Sequence, residues 1–388
     1  MFSSGTAGCS LGVGNAARSI FLTPVSDTEI SYIILNLKNK PCNIDAIPNK
    51  IFKSIHNIIA PPLTKIINNS FQSGIFPDSL KIARVVPVFK GGDDDDVNNY
   101  RPISILPTLS KILDREYRVE YFLESNRMFH HSQFGFRKGK STSQAIMDNL
   151  EFIYRNLDQG KIVLSIFLVL KKAFDSVDQS ILLEKLHKLG IRGPAHNLFK
   201  SYLSNRRQYT SLNNSNSSLA DITHGVPQGS ILGPLLFLIY INDFLNCNPF
   251  FKFTLFADDS TLTCALDSHD GELVARTVET NLIPIKQWLN SNKLTLNNSK
   301  TYFINFNYRK KLNIREINFD GHKITEDDSV KFLGINIDKN LKFNKHIDHV
   351  CNKTSKTIGI LFKLNKFIPL PLVVPYFTYY IEIYFGTP

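Results

Sequence analysis

Thr254-Leu255-Phe256-Ala257-Asp258-Asp259-Ser260-Thr261-Leu262-Thr263-Cys264 sets two adjacent carboxylates between two short apolar runs. The runs Thr254 to Ala257 and Thr261 to Cys264 read as two short strands with the acidic pair at the tip between them. Neighbouring carboxylates in a tight turn repel each other, which costs stability unless a cation binds between or beside them. Hard cations such as Mg²⁺ take oxygen ligands and keep positions open for substrate phosphates. Two such ions, ~3.5–4 Å apart, clamp the attacking and leaving oxygens of a phosphoryl transfer. A solvated Asp-Asp turn is the plain alternative. The apolar flanks count against it, but the pair alone leaves both readings open.

Upstream lies His224-Gly225-Val226-Pro227-Gln228-Gly229-Ser230-Ile231-Leu232-Gly233-Pro234-Leu235. Its glycines and prolines precede a buried helix expected over Gly229 to Phe244, so the backbone can come close to a ligand to which Gln228 offers hydrogen bonds. By itself this is also compatible with a turn and a helix start.

The surrounding chain limits what such features can serve. It has 388 residues, 45 Lys+Arg against 34 Asp+Glu and a net charge of +11, with 43% hydrophobic and 20% charged residues. That composition excludes wholesale disorder, suggests two or three domains, and favours a polyanionic partner such as nucleic acid. Five scattered cysteines without a CxxC pair argue against a disulfide framework or zinc ribbon and fit a reducing compartment. The longest apolar run, Ile231 to Ile241, is far short of the ~20 residues a membrane helix needs, and Pro369, Pro371 and Pro375 break the apolar stretch near the C-terminus. No membrane partner is expected. The first residues lack the charged start and apolar core of a signal peptide and read as a loose end.

Along the chain, residues 1 to about 24 are expected to be unstructured. Ile30, Ile33, Ile34 and Leu37 mark a helix from Asp27, and a second helical pattern, Ile58 to Phe71, follows the turn signal Pro61-Pro62. Ala83 to Phe89 and Val163 to Leu170 are strand candidates, the second apolar enough to be buried on both faces. Lys90 to Gly92 and the run Asp93 to Asp96 read as a flexible loop. Asp178 caps a helix that Gly190 stops, 211–220 is a polar turn, and Phe332 to Ile337 is one further strand. The fold class is α+β: a small sheet carrying acidic residues, backed by helices.

Six phrases occur in order: Asn99-Tyr100-Arg101-Pro102-Ile103-Ser104, Gln133-Phe134-Gly135-Phe136-Arg137, Lys172-Ala173-Phe174-Asp175, Gly225-Val226-Pro227-Gln228-Gly229-Ser230, Phe256-Ala257-Asp258-Asp259 and Phe332-Leu333-Gly334. Together they resemble the reverse transcriptase of non-LTR retrotransposons, the jockey-like LINE elements, from about residue 22 to the end. The resemblance implies a right-hand polymerase with an antiparallel palm sheet packed on helices. Its parts would be a disordered N-terminus (1–24), a helical extension (25–75), fingers (76–160), a palm (161–340, with a finger insertion about 180–220) and a partial thumb (341–388).

It further implies roles for single positions. Asp258 and Asp259 would be catalytic, metal-binding residues for two Mg²⁺ ions; Lys90 and Arg101 would hold the triphosphate of a dNTP, where an Arg fork suits phosphate oxygens. Phe174 would exclude a ribose 2′-hydroxyl, Gln228 and Gly229 would contact nucleotide and template, and Lys300 would be a further palm lysine. Phe332, Leu333 and Gly334 would form the primer grip, and Arg206-Arg207 would lie along the template backbone. An RNA template and DNA primer are the implied partners. An intracellular, nuclear site of action follows from the family's habit of priming on chromosomal DNA.

One departure matters. The family's palm strand reads Phe-Leu-Asp-Leu, whereas this chain has Phe167-Leu168-Val169-Leu170, so the first metal-binding aspartate is Val169. Asp175 lies past the end of that strand, too far on to replace it. The expectation is a reverse transcriptase fold with little or no polymerase activity, or a non-catalytic nucleic-acid-binding relic. The absence of room for a nuclease domain upstream, and an end within the thumb, suggest a partial or degraded copy.

Overall fold

The computed structural model describes residues 18–38, 47–114, 117–213, 215–268, 270–306, 314 and 316–364. In chain order the helices are α1 (Asp27–Leu35), α2 (Asn49–Ser54), α3 (His56–Ser73), α4 (Thr108–Leu113), α5 (Tyr117–Ser125) and α6 (Thr142–Asp158). They continue with α7 (Gln179–Lys188), α8 (Gly193–Leu203), α9 (Leu232–Ile241), α10 (Gly271–Ser291) and α11 (Asn344–Leu364). The strands are β1 (Ile82–Phe89), β2 (Tyr100–Ile105), β3 (Ile162–Val169), β4 (Arg206–Leu212), β5 (Ser215–Asn216), β6 (Ala220–Ile222) and β7 (Lys252–Phe256). Then follow β8 (Asp259–Leu266), β9 (Tyr302–Asn305), β10 (Glu316–Phe319), β11 (His322–Thr325), β12 (Ser329–Phe332) and β13 (Ile335–Asp338). The mixture of helix and sheet is the expected α+β class.

The chain divides into two units: 1–130 with 172–243 and 292–294, and 131–171 with 244–291 and 295–388. In the first, β1 lies between β2, antiparallel to it, and β4, parallel to it; β5 and β6 add to β4. Helix α9 is apolar all round, with Leu236 to Ile241 buried throughout, as a helix enclosed by protein must be. Asp178 caps α7 by accepting the Ser180 and Ile181 N–H groups at 2.9 and 3.0 Å.

The second unit is built on the sheet β7-β8-β3-β9, antiparallel at every pairing. Strand β3 is central, which explains its nearly unbroken apolar run: all its residues but Val169 are buried. Helix α6, opened by a reciprocal capping box between Ser141 and Gln144, packs Ile146, Leu150, Ile153 and Leu157 with Val163 and Phe167. The β12–β13 hairpin joins that core through Phe332, Ile335 and Ile337, with Phe332 edge-on to Phe167 at 5.5 Å. A buried polar chain crosses it, from Ser165 to the Thr263 hydroxyl (2.7 Å) and from there to Asn149 Oδ1 (2.8 Å).

Several expectations are corrected. Pro61 and Pro62 do not mark a turn but lie inside α3. Their fixed φ is helical, and the carbonyls that lose a partner, on Asn57 and Ile58, belong to exposed residues that water reaches. Phe332 to Ile337 is not one strand but a hairpin, because Leu333 (φ 48) and Gly334 (φ 95) both take the left-handed conformation, the pattern of a type I′ turn. The polar stretch 211–220 carries the end of β4, β5 and the start of β6. The buried helix starts at Leu232 rather than Gly229, whose φ is 122. Residues 18–24 hold no regular element but are tied down: Ile20 is buried and its N–H donates to the Gly190 carbonyl at 3.0 Å.

Residues 1–17 and 365–388, on which the expected N-terminal disorder and the end of the thumb fall, lie outside the described residues, as do Cys9 and Cys42. Cys264 and Cys351 are free thiols. Among the described residues, no helix is long and apolar enough to cross a membrane.

Candidate active site

The second unit carries the acidic pair. β7 and β8 form a hairpin with Phe256 opposite Asp259, so Ala257 and Asp258 are the two turn residues. Ala257 has φ 58 while Asp258 does not lie in that region; positive φ at the first central residue is the requirement of a type II′ turn. For a residue with a Cβ this conformation costs ~1–2 kcal/mol, so the surroundings must impose it. Asp258 and Asp259 are both half-buried. Burial, and then the neighbouring charge of Asp258, push the Asp259 pKa up to about 6.

Val169 ends β3 directly opposite Asp259 in the β3–β8 ladder. Residues opposed in this way put their side chains on one face with Cβ atoms ~4.5–5.5 Å apart. The position therefore adjoins the acidic pair, and an isopropyl group with no lone pair occupies it. The Val169 carbonyl accepts the Asn297 N–H at 2.7 Å, which brings the short 3₁₀ turn Asn298–Lys300, with exposed Lys300, beside the end of β3. Phe332 is buried, and Leu333 and Gly334 are the hairpin turn described above. The donor set suits one hard divalent cation on Asp258 and Asp259, and lacks the carboxylate that a shared two-ion site requires.

The first unit carries the other predicted residues. Lys90 and Arg101 are exposed on the β1–β2 hairpin, with Arg101 opposite Val88. Between them Asp93, Asp94 and Asp95 are exposed, their carboxylates within 4.8 Å of one another. Phe174 is half-buried and stacks on Phe237 of α9, centroids 4.7 Å apart and planes at 24°. The loop preceding α9 is held to this corner by backbone: Val226 N–H donates to the Phe174 carbonyl (2.9 Å) and Ser104 N–H to the Gln228 carbonyl (2.6 Å).

Its glycines follow from that closeness. A Cβ on Gly229 (φ 122) would collide with the Ser104 carbonyl, and one on Gly225 (φ 82) would come within 2.9 Å of the Asp175 backbone. Gln228 Nε2 donates to Asp175 Oδ1 at 3.4 Å. Desolvation raises the Asp175 pKa, opposed by Lys172, the Gln228 hydrogen bond and Lys90.

One predicted role fails on burial. Arg206 is 1% exposed, lies 4.7 Å from the Tyr202 ring centroid and donates to the Tyr202 carbonyl at 3.0 Å. It is a core residue and not a template contact; Arg207 is exposed. Two partners escaped sequence reasoning. The sequence suggests Asp175 only as a substitute for Val169 and assigns no role to Gln133. Both reveal themselves through contacts to segments distant in the chain, although the glycines beside Gln133 and Gln228 were a visible sign of close backbone approach.

Residues 90–337 match the family model described as reverse transcriptase (RNA-dependent DNA polymerase). The probable RNA-directed DNA polymerase from transposon BS of Drosophila melanogaster is 30% identical over 342 residues, covering 85% of this chain and 37% of that protein. That from transposon X-element of the same species is 28% identical over 345 residues, with 85% and 37% covered. The RNA-directed DNA polymerase from mobile element jockey, also of D. melanogaster, is 28% identical over 345 residues, with 86% and 37% covered. The chain thus spans about 37% of the length of these relatives. The jockey-like resemblance of the six phrases is borne out by these relatives, and the chain belongs to the reverse transcriptase family.

Proposed function

We propose that the chain is the reverse transcriptase domain of a non-LTR retrotransposon that retains template–primer binding and has lost most of its polymerase activity. The observation that carries the loss is the register of Val169 opposite Asp259, beside the acidic turn of a family whose chemistry uses Mg²⁺. In that chemistry the 3′-hydroxyl of a DNA primer on an RNA template attacks the α-phosphate of a dNTP, the bond to the β-phosphate breaks and pyrophosphate leaves. Removing one preorganised electrostatic group typically costs ~10²–10³ in rate, and losing a ligand shared by two ions costs more.

In this reading 76–160 are fingers, 161–340 palm with an insertion about 180–220, 341–388 part of a thumb, and 25–75 a helical extension. Lys90 and Arg101, exposed on one hairpin, bind triphosphate oxygens. Phe174, propped by Phe237, excludes a 2′-hydroxyl. Gln228 and Gly229, fixed by Ser104, support the nucleotide and template. Lys300 assists in the palm, and the Phe332-Leu333-Gly334 turn grips the primer. Asp258 and Asp259 bind a cation. The site of action is the nucleus. The +11 net charge supports phosphate contacts that survive the loss of the carboxylate.

Primer extension on an RNA template with Mg²⁺ or Mn²⁺, run beside template–primer binding at rising salt, tests this. Binding that weakens with salt, no extension by the chain, and extension restored by Val169→Asp are expected. Extension by the unaltered chain, abolished by Asp258→Ala, would overturn the proposed loss of activity.

A further inference from the structure

We propose that Gln133 is the positioning residue of the acidic turn, the side chain that locks Ala257 in its left-handed conformation and so aims Asp258 and Asp259. The proposal deepens the reading of those two residues as a cation-binding pair and rests on it.

The segment before α6 runs alongside β7. Leu255 N–H donates to the Ser132 carbonyl at 2.9 Å, and Phe134 N–H donates to the Leu255 carbonyl at 2.8 Å. Gln133 sits between these two bonds and is fully buried, at 0% exposure. Its side-chain oxygen accepts two backbone N–H groups, from Gly135 at 2.9 Å and from Ala257 at 3.2 Å. Two donors converging on one atom also fix the orientation of the amide, since its NH₂ end could take neither.

The contact falls where the turn is least favoured. Ala257 is 4% exposed, so its N–H has no water to turn to, and it is the residue with φ 58. Without the Gln133 oxygen that amide would be a buried, unpaired donor in a disfavoured conformation. Gly135 must be a glycine at this contact, because a Cβ there would collide with the Ala257 nitrogen. The Gln133 Nε2 is buried with no hydrogen-bond partner among the described residues. A side chain needed only to fill space would be apolar here and would avoid that cost. What remains to justify the amide is its oxygen and the turn it holds.

The test uses the full chain with Gln133→Met, which keeps shape and loses the acceptor, and Gln133→Glu, which keeps an acceptor of the same reach. Hydrogen exchange followed by mass spectrometry on peptides covering 256–260 reads the Ala257 amide. Mn²⁺ affinity, by electron paramagnetic resonance of the free ion, reads the aim of the carboxylates. The Met variant is expected to exchange at least about tenfold faster at this turn and to bind Mn²⁺ several-fold more weakly, with its circular dichroism unchanged. The Glu variant is expected to keep both.

Unchanged protection in the Met variant, or equal losses in Met and Glu variants that both remain folded, would overturn the proposal. Should the Met variant fail to fold, Gln133→Asn, which withdraws the oxygen by one carbon, decides in its place by the same two readouts. A wild-type chain that binds no Mn²⁺ would refute the cation-binding reading, while the exchange result would still decide the role of Gln133.

Discussion

Val169→Asp makes the sharpest demand on the geometry. The variant adds a carboxylate directly opposite Asp259 and next to Asp258. Opposed Cβ atoms are ~5 Å apart, and two unit charges at that distance repel by ~3 kcal/mol at an effective dielectric constant of ~20. Without a cation, above pH 7 where Asp259 (pKa about 6) is ionised, the variant should therefore be less stable than the parent chain by ~3 kcal/mol. A divalent ion at a hundredfold excess over its dissociation constant returns ~2.7 kcal/mol. Urea unfolding in chelator and in Mg²⁺ or Mn²⁺ measures both quantities. The parent should gain less from the cation than Val169→Asp at the same concentration, and the neutral Val169→Asn should gain no more than the parent. A Val169→Asp variant as stable as the parent in chelator, and indifferent to cation, would refute the placement of this position beside the acidic pair.

Other outcomes follow from features of the two units. Gly229→Ala should lower stability in denaturant titrations by ~3 kcal/mol or more, because the new Cβ meets the Ser104 carbonyl at a φ of 122. Asp259 has a raised pKa, so the native state holds its proton more tightly than the unfolded chain does. Its contribution to stability is full below about pH 4 and is lost as pH rises through about 6; a pKa near 6 in place of 3.8 corresponds to ~3 kcal/mol. Asp259→Asn should flatten the stability of the cation-free protein over that window. Arg206→Ala should destabilise the fold, whereas Arg207→Ala should leave unfolding unchanged and reduce the salt dependence of template–primer binding by about one phosphate contact.

How far the sequence could be read depended on the range of the interactions involved. The helix from Asp27, the cap at Asp178 and the β7–β8 hairpin are local, set by periodicity, one capping carboxylate and two apolar runs around a turn. The order of the six phrases exposed the family for the same reason: each phrase is a local unit. Pro61-Pro62 misled because proline punctuates a chain only where its fixed φ disagrees with the element, and in α3 it agrees. Leu333 hid a turn inside an apolar run, since nothing in its chemistry advertises a φ of 48. Arg206 reads as a surface charge, yet the Tyr202 ring and carbonyl hold it in the core. Gln133 acts across 124 residues of sequence, where no pattern of spacing reaches.

The strand order β7-β8-β3-β9 also dictates an order of assembly. β7 and β8 are joined by two residues, and their hairpin can close within microseconds of its synthesis. β3 is made long before either neighbour: Ser165 meets Thr263, 98 residues on, and Ile304 later still. Its partners must close long loops, the slow and entropically costly kind of folding step. The central strand thus waits, apolar along its length, until translation has passed Asn305. A copy of this gene interrupted before that residue would release β3 with at least one edge unpaired, making the second unit an all-or-nothing product of its reading frame.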